Sequence, residues 1–254
     1  MDPNLLSHVI EQFHLLFLTH LTRGADKRSI VVKGGSNLRF FHRSLRYSED
    51  MGLDVAGIEE HALRDRVRNI LASRPFGQIL EARGIEIEHV TEHKQTPTVQ
   101  RWKFGLRSAG HRLPLPTKIE CSRRGVDEGV EFGSLDPAIV ALHSLTPFMA
   151  SHYGAAAALQ QKVRALAHRT ETQARDVFDV HHLIAAGAPR EALRDLSGGE
   201  LALARARAAT IDFATFKSQV LAYLAAEEQP RYGSADAWDT IVLEVLEALE
   251  WART

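Results

Sequence analysis

The sequence holds a single cysteine, Cys121. It can form no intrachain disulfide and no cysteine-built zinc site. An excess of one charge sign is also missing. The 31 Lys and Arg residues are balanced by 32 Asp and Glu, for a formal net charge of -1. That balance excludes a strongly basic nucleic-acid binder, although local clusters such as Arg39, His42, Arg43 and Arg46, or Arg123 and Arg124, remain available to phosphates. No apolar run reaches membrane-spanning length, and no Gly-x-Ser-x-Gly elbow supports a serine hydrolase. The first residues lack a basic n-region. Leu5, Leu6, Val9, Ile10, Phe13, Leu16 and Phe17 instead recur at helical spacing, with His8 and Glu11 between them, which predicts an amphipathic helix capped by Asp2 and opened by Pro3. A cytoplasmic protein with no membrane partner is expected.

With 44% hydrophobic and 25% charged residues over 254 positions, the chain can build one large or two small cores. Residues 58–72 and 76–82 read as helices. Residues 85–91 and 99–106 alternate like strands, joined through Lys94-Gln95-Thr96-Pro97 and leading to a further strand near residue 120. From about Pro137 the periodicity is helical, over 155–168, 172–186, 190–196, 199–208, 213–226 and 235–252, with Trp238, Ile241, Val242, Val245 and Leu249 on the buried face of the last. The expected fold is α/β. It has a mixed sheet of about five strands with flanking helices, followed by a C-terminal helical domain. The divisions fall at residues 1–25, 26–136 and 137–254.

The chemistry concentrates between residues 29 and 54. Ser29-Ile30-Val31-Val32-Lys33 reads as a short buried strand stopped by Gly34 and Gly35, with Ser36 placed to cap a helix over residues 37–41. A glycine turn running into a helix N-terminus is suited to phosphate. Residues 50–55 read as the next strand, whose period of two puts Asp50, Gly52 and Asp54 on one face and Met51, Leu53 and Val55 on the other. Such a face is either the solvated side of an edge strand or a metal site, because a buried carboxylate needs a partner.

Thirteen residues, 37 to 49, separate Ser36 from Asp50. Gly-Gly-Ser, a spacer and an acidic strand together resemble the first motif of polymerase-β-type nucleotidyltransferases. More narrowly, Lys33-Gly34-Gly35-Ser36 with Arg46-Tyr47-Ser48-Glu49-Asp50 resembles the AbiEii/AbiGii toxin family of that superfamily. Two later elements extend the resemblance. In Leu115-Pro116-Thr117-Lys118-Ile119-Glu120-Cys121-Ser122, Lys118, Glu120 and Ser122 share a face, so Glu120 matches the family's third carboxylate. Lys162 lies within the apolar stripe of Leu159, Val163 and Leu166, and Arg175-Asp176-Val177-Phe178-Asp179 opens the next helix with Asp176 and Asp179 on one side. These three charges form either an interhelical salt bridge or part of a site.

The resemblance implies a nucleotidyltransferase-fold domain that uses Mg²⁺ and an NTP. Asp50, Glu120, Lys162 and Asp179 would be catalytic, with Asp50, Glu120 and, as a substitute ligand, Asp54 at the metal. Gly34, Gly35, Ser36 and Lys162 would hold the nucleotide. It further implies a toxin-antitoxin or phage-defence component with an RNA acceptor, tRNA included, or a protein acceptor, and a cognate antitoxin. The chain departs from the family at Gly52, where a second carboxylate is usual. Asp54 lies one strand repeat, roughly 6.6 Å, beyond that position, and only a bulge would bring it in. The departure leaves two readings open, an impaired enzyme and a catalytically inactive NTP-binding or partner-docking protein.

The 13 histidines do not build a metal site on this reading. His89 and His93 lie roughly 13 Å apart along a strand, and the adjacent His181 and His182 diverge by about 100° on a helix. Trp102 and Phe104 read as core.

Overall fold

The computed structural model describes residues 3–109 and 111–253. Asp2, assigned above as the helix cap, and the side chain of Leu5 lie outside the described residues. The chain forms two compact units, one of residues up to Ser36 with Ser48–His152, the other of Asn37–Tyr47 with residues from Tyr153 onward.

The first unit contains α1 (Pro3–Thr22), β1 (Ile30–Lys33), the opening of α2 (Gly34–Phe41), β2 (Asp50–Val55), α3 (Glu60–Ala72), α4 (Arg74–Ala82), β3 (Ile85–Thr96), β4 (Val99–Ser108), β5 (Leu115–Ser122), β6 (Val130–Ser134), α5 (Pro137–Leu142) and β7 (Met149–Tyr153). Seven strands pair in the order β3-β4-β5-β2-β1-β7-β6. β1 and β2 are antiparallel, whereas β7 joins β1 and β5 joins β2 in parallel. The α/β mixed sheet is as expected, with two more strands than the sequence predicted. β6 carries Gly133 and is largely exposed. β7, Met-Ala-Ser-His-Tyr, has no β-branched residue and so gives no strand signal. A Cβ on Gly133 would meet the His152 ring at 2.9 Å, so the glycine is what lets His152 pack there.

β2 is an interior strand between β1 and β5, which removes the solvated-edge reading of its acidic face. α1 packs its apolar side against this sheet, and Phe13, Phe17, Phe76 and Phe104 form an aromatic cluster with ring centroids 5.0 Å apart for Phe13 and Phe104. Trp102 and Phe104 are buried as the alternation predicted. Burying side chains of this size contributes about 1.5–3 kcal/mol each.

The second unit is helical. Besides the rest of α2 it contains α6 (Ala155–His168), α7 (Ala174–Ala185), a 3₁₀ turn at Arg190–Asp195, α8 (Gly198–Ala208), α9 (Phe213–Gln219), a second 3₁₀ turn at Leu221–Tyr223, α10 (Gln229–Tyr232) and α11 (Ala235–Trp251). The predicted helix over 213–226 is cut short after Gln219, where the backbone at Val220 leaves helical geometry. Trp238 stacks on Phe216 at 4.4 Å and donates its indole N–H to the Ile211 carbonyl at 2.9 Å. Val242 is only partly buried. The helical unit begins at Tyr153, later than the expected position 137, and takes residues 37–47 from the earlier part of the chain.

Candidate active site

β1 runs directly into α2 without a loop. Gly34 makes that reversal at a φ of +67°, where a side chain would be strained. The first amides of α2 have no partner within the helix, as at any helix start, and an end of this kind suits an anion. Ser36 is fully buried, and its hydroxyl donates to the Asp50 main-chain oxygen at 2.9 Å. The sequence offered Ser36 to the nucleotide, and in the structure its hydroxyl is engaged with the strand. Ser36 thereby fixes the strand that carries Asp50. Ser48 donates to the same oxygen at 2.8 Å.

A second support reaches the strand from α1. Thr117 donates to the Glu49 carbonyl at 2.6 Å, so its oxygen accepts from Nε2–H of His14 at 2.8 Å. His14 is completely buried, and burial pushes its pKa down to about 3 against a smaller opposing pull from Glu11. It is therefore neutral in the folded protein at ordinary pH.

One sheet face carries the predicted carboxylates. Register places Lys33 opposite Gly52, Asp50 beside Lys118, Gly52 beside Glu120 and Arg101 opposite Glu120. Each carboxylate has a basic partner. Lys118 Nζ lies 2.7 Å from Asp50, Lys33 Nζ 2.5 Å from Asp54, and Arg101 Nε 2.6 Å from Glu120. Asp50 and Glu120 retain 37% and 32% side-chain exposure and stand on adjacent strands. Two accessible hard-oxygen donors suit magnesium, which typically takes one or two protein carboxylates and fills its remaining positions with water and substrate phosphate. Among the described residues, no group of three or more His, Cys, Asp or Glu is gathered around one point.

Asp54 is the correction here. β2 runs in unbroken register from Asp50 to Asp54 with no bulge at Gly52. Asp54 therefore stays one repeat away, its side chain only 8% exposed and held by Lys33. Cys121, on the opposite face, is buried, and burial raises its thiol pKa to about 12, which leaves it inert as a nucleophile.

Lys162, Asp176 and Asp179 meet within the helical unit. Lys162 Nζ is 2.6 Å from Asp179 and 3.4 Å from Asp176, Arg169 Nε is 2.5 Å from Asp176, and Arg46 holds Asp179 through its guanidinium at 3.1 Å. Burial of Asp179 raises its pKa, but Arg46 and then Lys162 outweigh that and hold it at about 2. The ammonium of Lys162 is already shared by two carboxylates, and the Asp179 carboxylate is fully buried. The interhelical salt bridge named as one alternative in the sequence is the arrangement the structure shows for both residues. Arg46, which the sequence offered to phosphate, is also committed to this cluster.

The nucleotidyl transferase AbiEii toxin family, of type IV toxin-antitoxin systems, matches residues 16–249. The chain belongs to this family. As a member, it is an AbiEii-type nucleotidyltransferase toxin, and membership implies an NTP substrate and an antitoxin partner. Solved structures agree on the fold. MenT4, a nucleotidyltransferase toxin of Mycobacterium tuberculosis, superposes with a TM-score of 0.60 at 15% identity, covering 100% of both chains. A candidate nucleotidyltransferase from H. pylori gives 0.60 at 17% identity, covering 100% of this chain and 96% of its own. JHP933 from Helicobacter pylori gives 0.54 at 17%, covering 96% and 90%. No curated protein matches. Among the described residues of this AbiEii-family chain, no helix is long and apolar enough to cross a membrane.

Proposed function

We propose that this AbiEii-family chain is a magnesium-dependent cytoplasmic toxin or phage-defence enzyme that transfers a nucleotide from an NTP to a hydroxyl of RNA, tRNA included, and is restrained by a cognate antitoxin. The observation that carries this reading is the coupling of the Gly34 turn to the Asp50 strand through Ser36, with Glu120 on the next strand. The α2 amides bind the terminal phosphates. Asp50 and Glu120 would hold the ion. Bound magnesium supplies charge neutralisation on the phosphates and acidifies the acceptor hydroxyl. The hydroxyl oxygen forms a bond to the α-phosphorus as the bond to the bridging oxygen breaks, and pyrophosphate leaves. Glu120 would take the hydroxyl proton in this reading.

Gly52 weakens this site. Deleting one preorganised electrostatic group costs on the order of 10²- to 10³-fold in rate, so transfer by the present chain is slow. Incubation with each labelled NTP, Mg²⁺ and total cellular RNA tests the reading. Labelled RNA supports it, and no label with either the present chain or Gly52→Asp overturns it. The pairing of all three carboxylates with bases favours a second reading, an NTP-binding protein without turnover, for which calorimetry would show nucleotide affinity in the absence of transfer.

A further inference from the structure

Gly52 opens the space in which Lys33 lies. A Cβ built on Gly52 would stand 3.4 Å from Lys33 Cγ and 3.5 Å from the Lys33 carbonyl oxygen. The lysine stem thus passes over the bare α-carbon where the family's second carboxylate would project, and its ammonium reaches Asp54 two residues further along β2. The two ends of the pair differ in access, with 29% of the lysine side chain exposed and 8% of the aspartate. An ammonium has three donors. Asp54 occupies one and anchors the group, while the lysine side chain keeps 29% of its surface exposed. Lys33 also immediately precedes Gly34 and the α2 amides.

We propose that Lys33 is the fixed cation of this site, a phosphate-contacting residue that supplies on the protein part of the positive charge Gly52 no longer recruits as metal. The inference rests on the nucleoside triphosphate reading above and deepens it. A carboxylate at position 52 would hold a dication and also compete with phosphate for Lys33. A glycine leaves the ammonium for the anion. Asp54 then acts as the counter-ion that aims Lys33, which explains a buried aspartate beside a site it does not reach. The chain should therefore bind triphosphate appreciably even without a divalent ion.

The test is isothermal titration of inorganic tripolyphosphate and of ATP, GTP, CTP and UTP, each in EDTA and in Mg²⁺. Lys33→Met/Asp54→Asn removes both charges of the pair together, so that no buried carboxylate is orphaned, and thermal unfolding checks that the variant is folded. The expected result is measurable affinity of the unaltered chain in EDTA, lowered about tenfold or more in the double variant and retained in Lys33→Arg, since one charge-assisted hydrogen bond accounts for roughly that factor. Gly52→Asp should lose metal-free affinity several-fold while gaining a dependence on Mg²⁺, which gives a reading independent of how well the double variant folds. Equal affinity of the double variant and the unaltered chain, or undiminished metal-free affinity in Gly52→Asp, overturns the assignment of Lys33 alone. No binding by the unaltered chain to any probe with or without Mg²⁺ removes the triphosphate reading itself.

Discussion

Ser36 Oγ donates to the main-chain oxygen of Asp50 across 14 positions of sequence, at 2.9 Å. The glycine turn and a candidate metal ligand are thereby fixed to each other through the backbone, and the Asp50 side chain is not used in the link. Ser36→Ala should lower stability by about 1 kcal/mol in urea unfolding, because Ser48 still bonds the same oxygen. Nucleotidyl transfer should fall by about tenfold through misplacement of Asp50. An unchanged rate would show that Ser48 suffices.

Gly52→Asp should be tolerated by the fold, since its Cβ contacts at 3.4 and 3.5 Å are near ordinary packing distances. Labelled-NTP transfer in Mg²⁺ should rise, on the order of 10²-fold. A rise confined to Mg²⁺-containing reactions would identify the new carboxylate as a ligand.

Asp179→Asn leaves Arg46 and Lys162 buried with too little negative charge, and should cost about 3–5 kcal/mol in denaturant unfolding. The unaltered chain adds a pH test. The Asp179 pKa is lowered from 3.8 to about 2, so the folded state favours the ionised form. That contribution, about 2 kcal/mol, is fully present above pH 3.8 and is lost as pH falls toward 2. Stability curves of the Asn variant should lack this acid-side loss.

His14 behaves differently, because burial resists its protonation. With a folded pKa of about 3 against 6.5 for an ordinary histidine, it is neutral in both states above pH 6.5, while below that the unfolded chain takes up the proton first. Stability should therefore decrease as pH falls from 6.5, by about 2 kcal/mol at pH 5. In His14→Gln, which keeps a donor for Thr117, the midpoint of urea unfolding should depend less on pH over this range.

Much of the fold was legible because it is local. Lys162 on the stripe of Leu159, Val163 and Leu166 announced a buried ammonium in need of an anion, and Asp176 and Asp179 at i,i+3 supplied it. Arg46 was not legible as the other partner of Asp179, since 133 positions separate them and nothing local marks that arginine. The pairing of Lys33 with Asp54 depends on the antiparallel register of β1 with β2, which a single strand pattern does not specify. β7 escaped notice because its burial comes from neighbours and not from its own composition.

The helical unit's claim on residues 37–47 also has a consequence for synthesis. Those residues leave the ribosome more than one hundred positions before Tyr153, a delay on the order of ten seconds at typical elongation rates. Throughout it Leu38 has no core to enter and Arg46 has no Asp179 to meet. The nascent chain must carry this apolar and cationic segment without its partners in the helical unit until those helices are made.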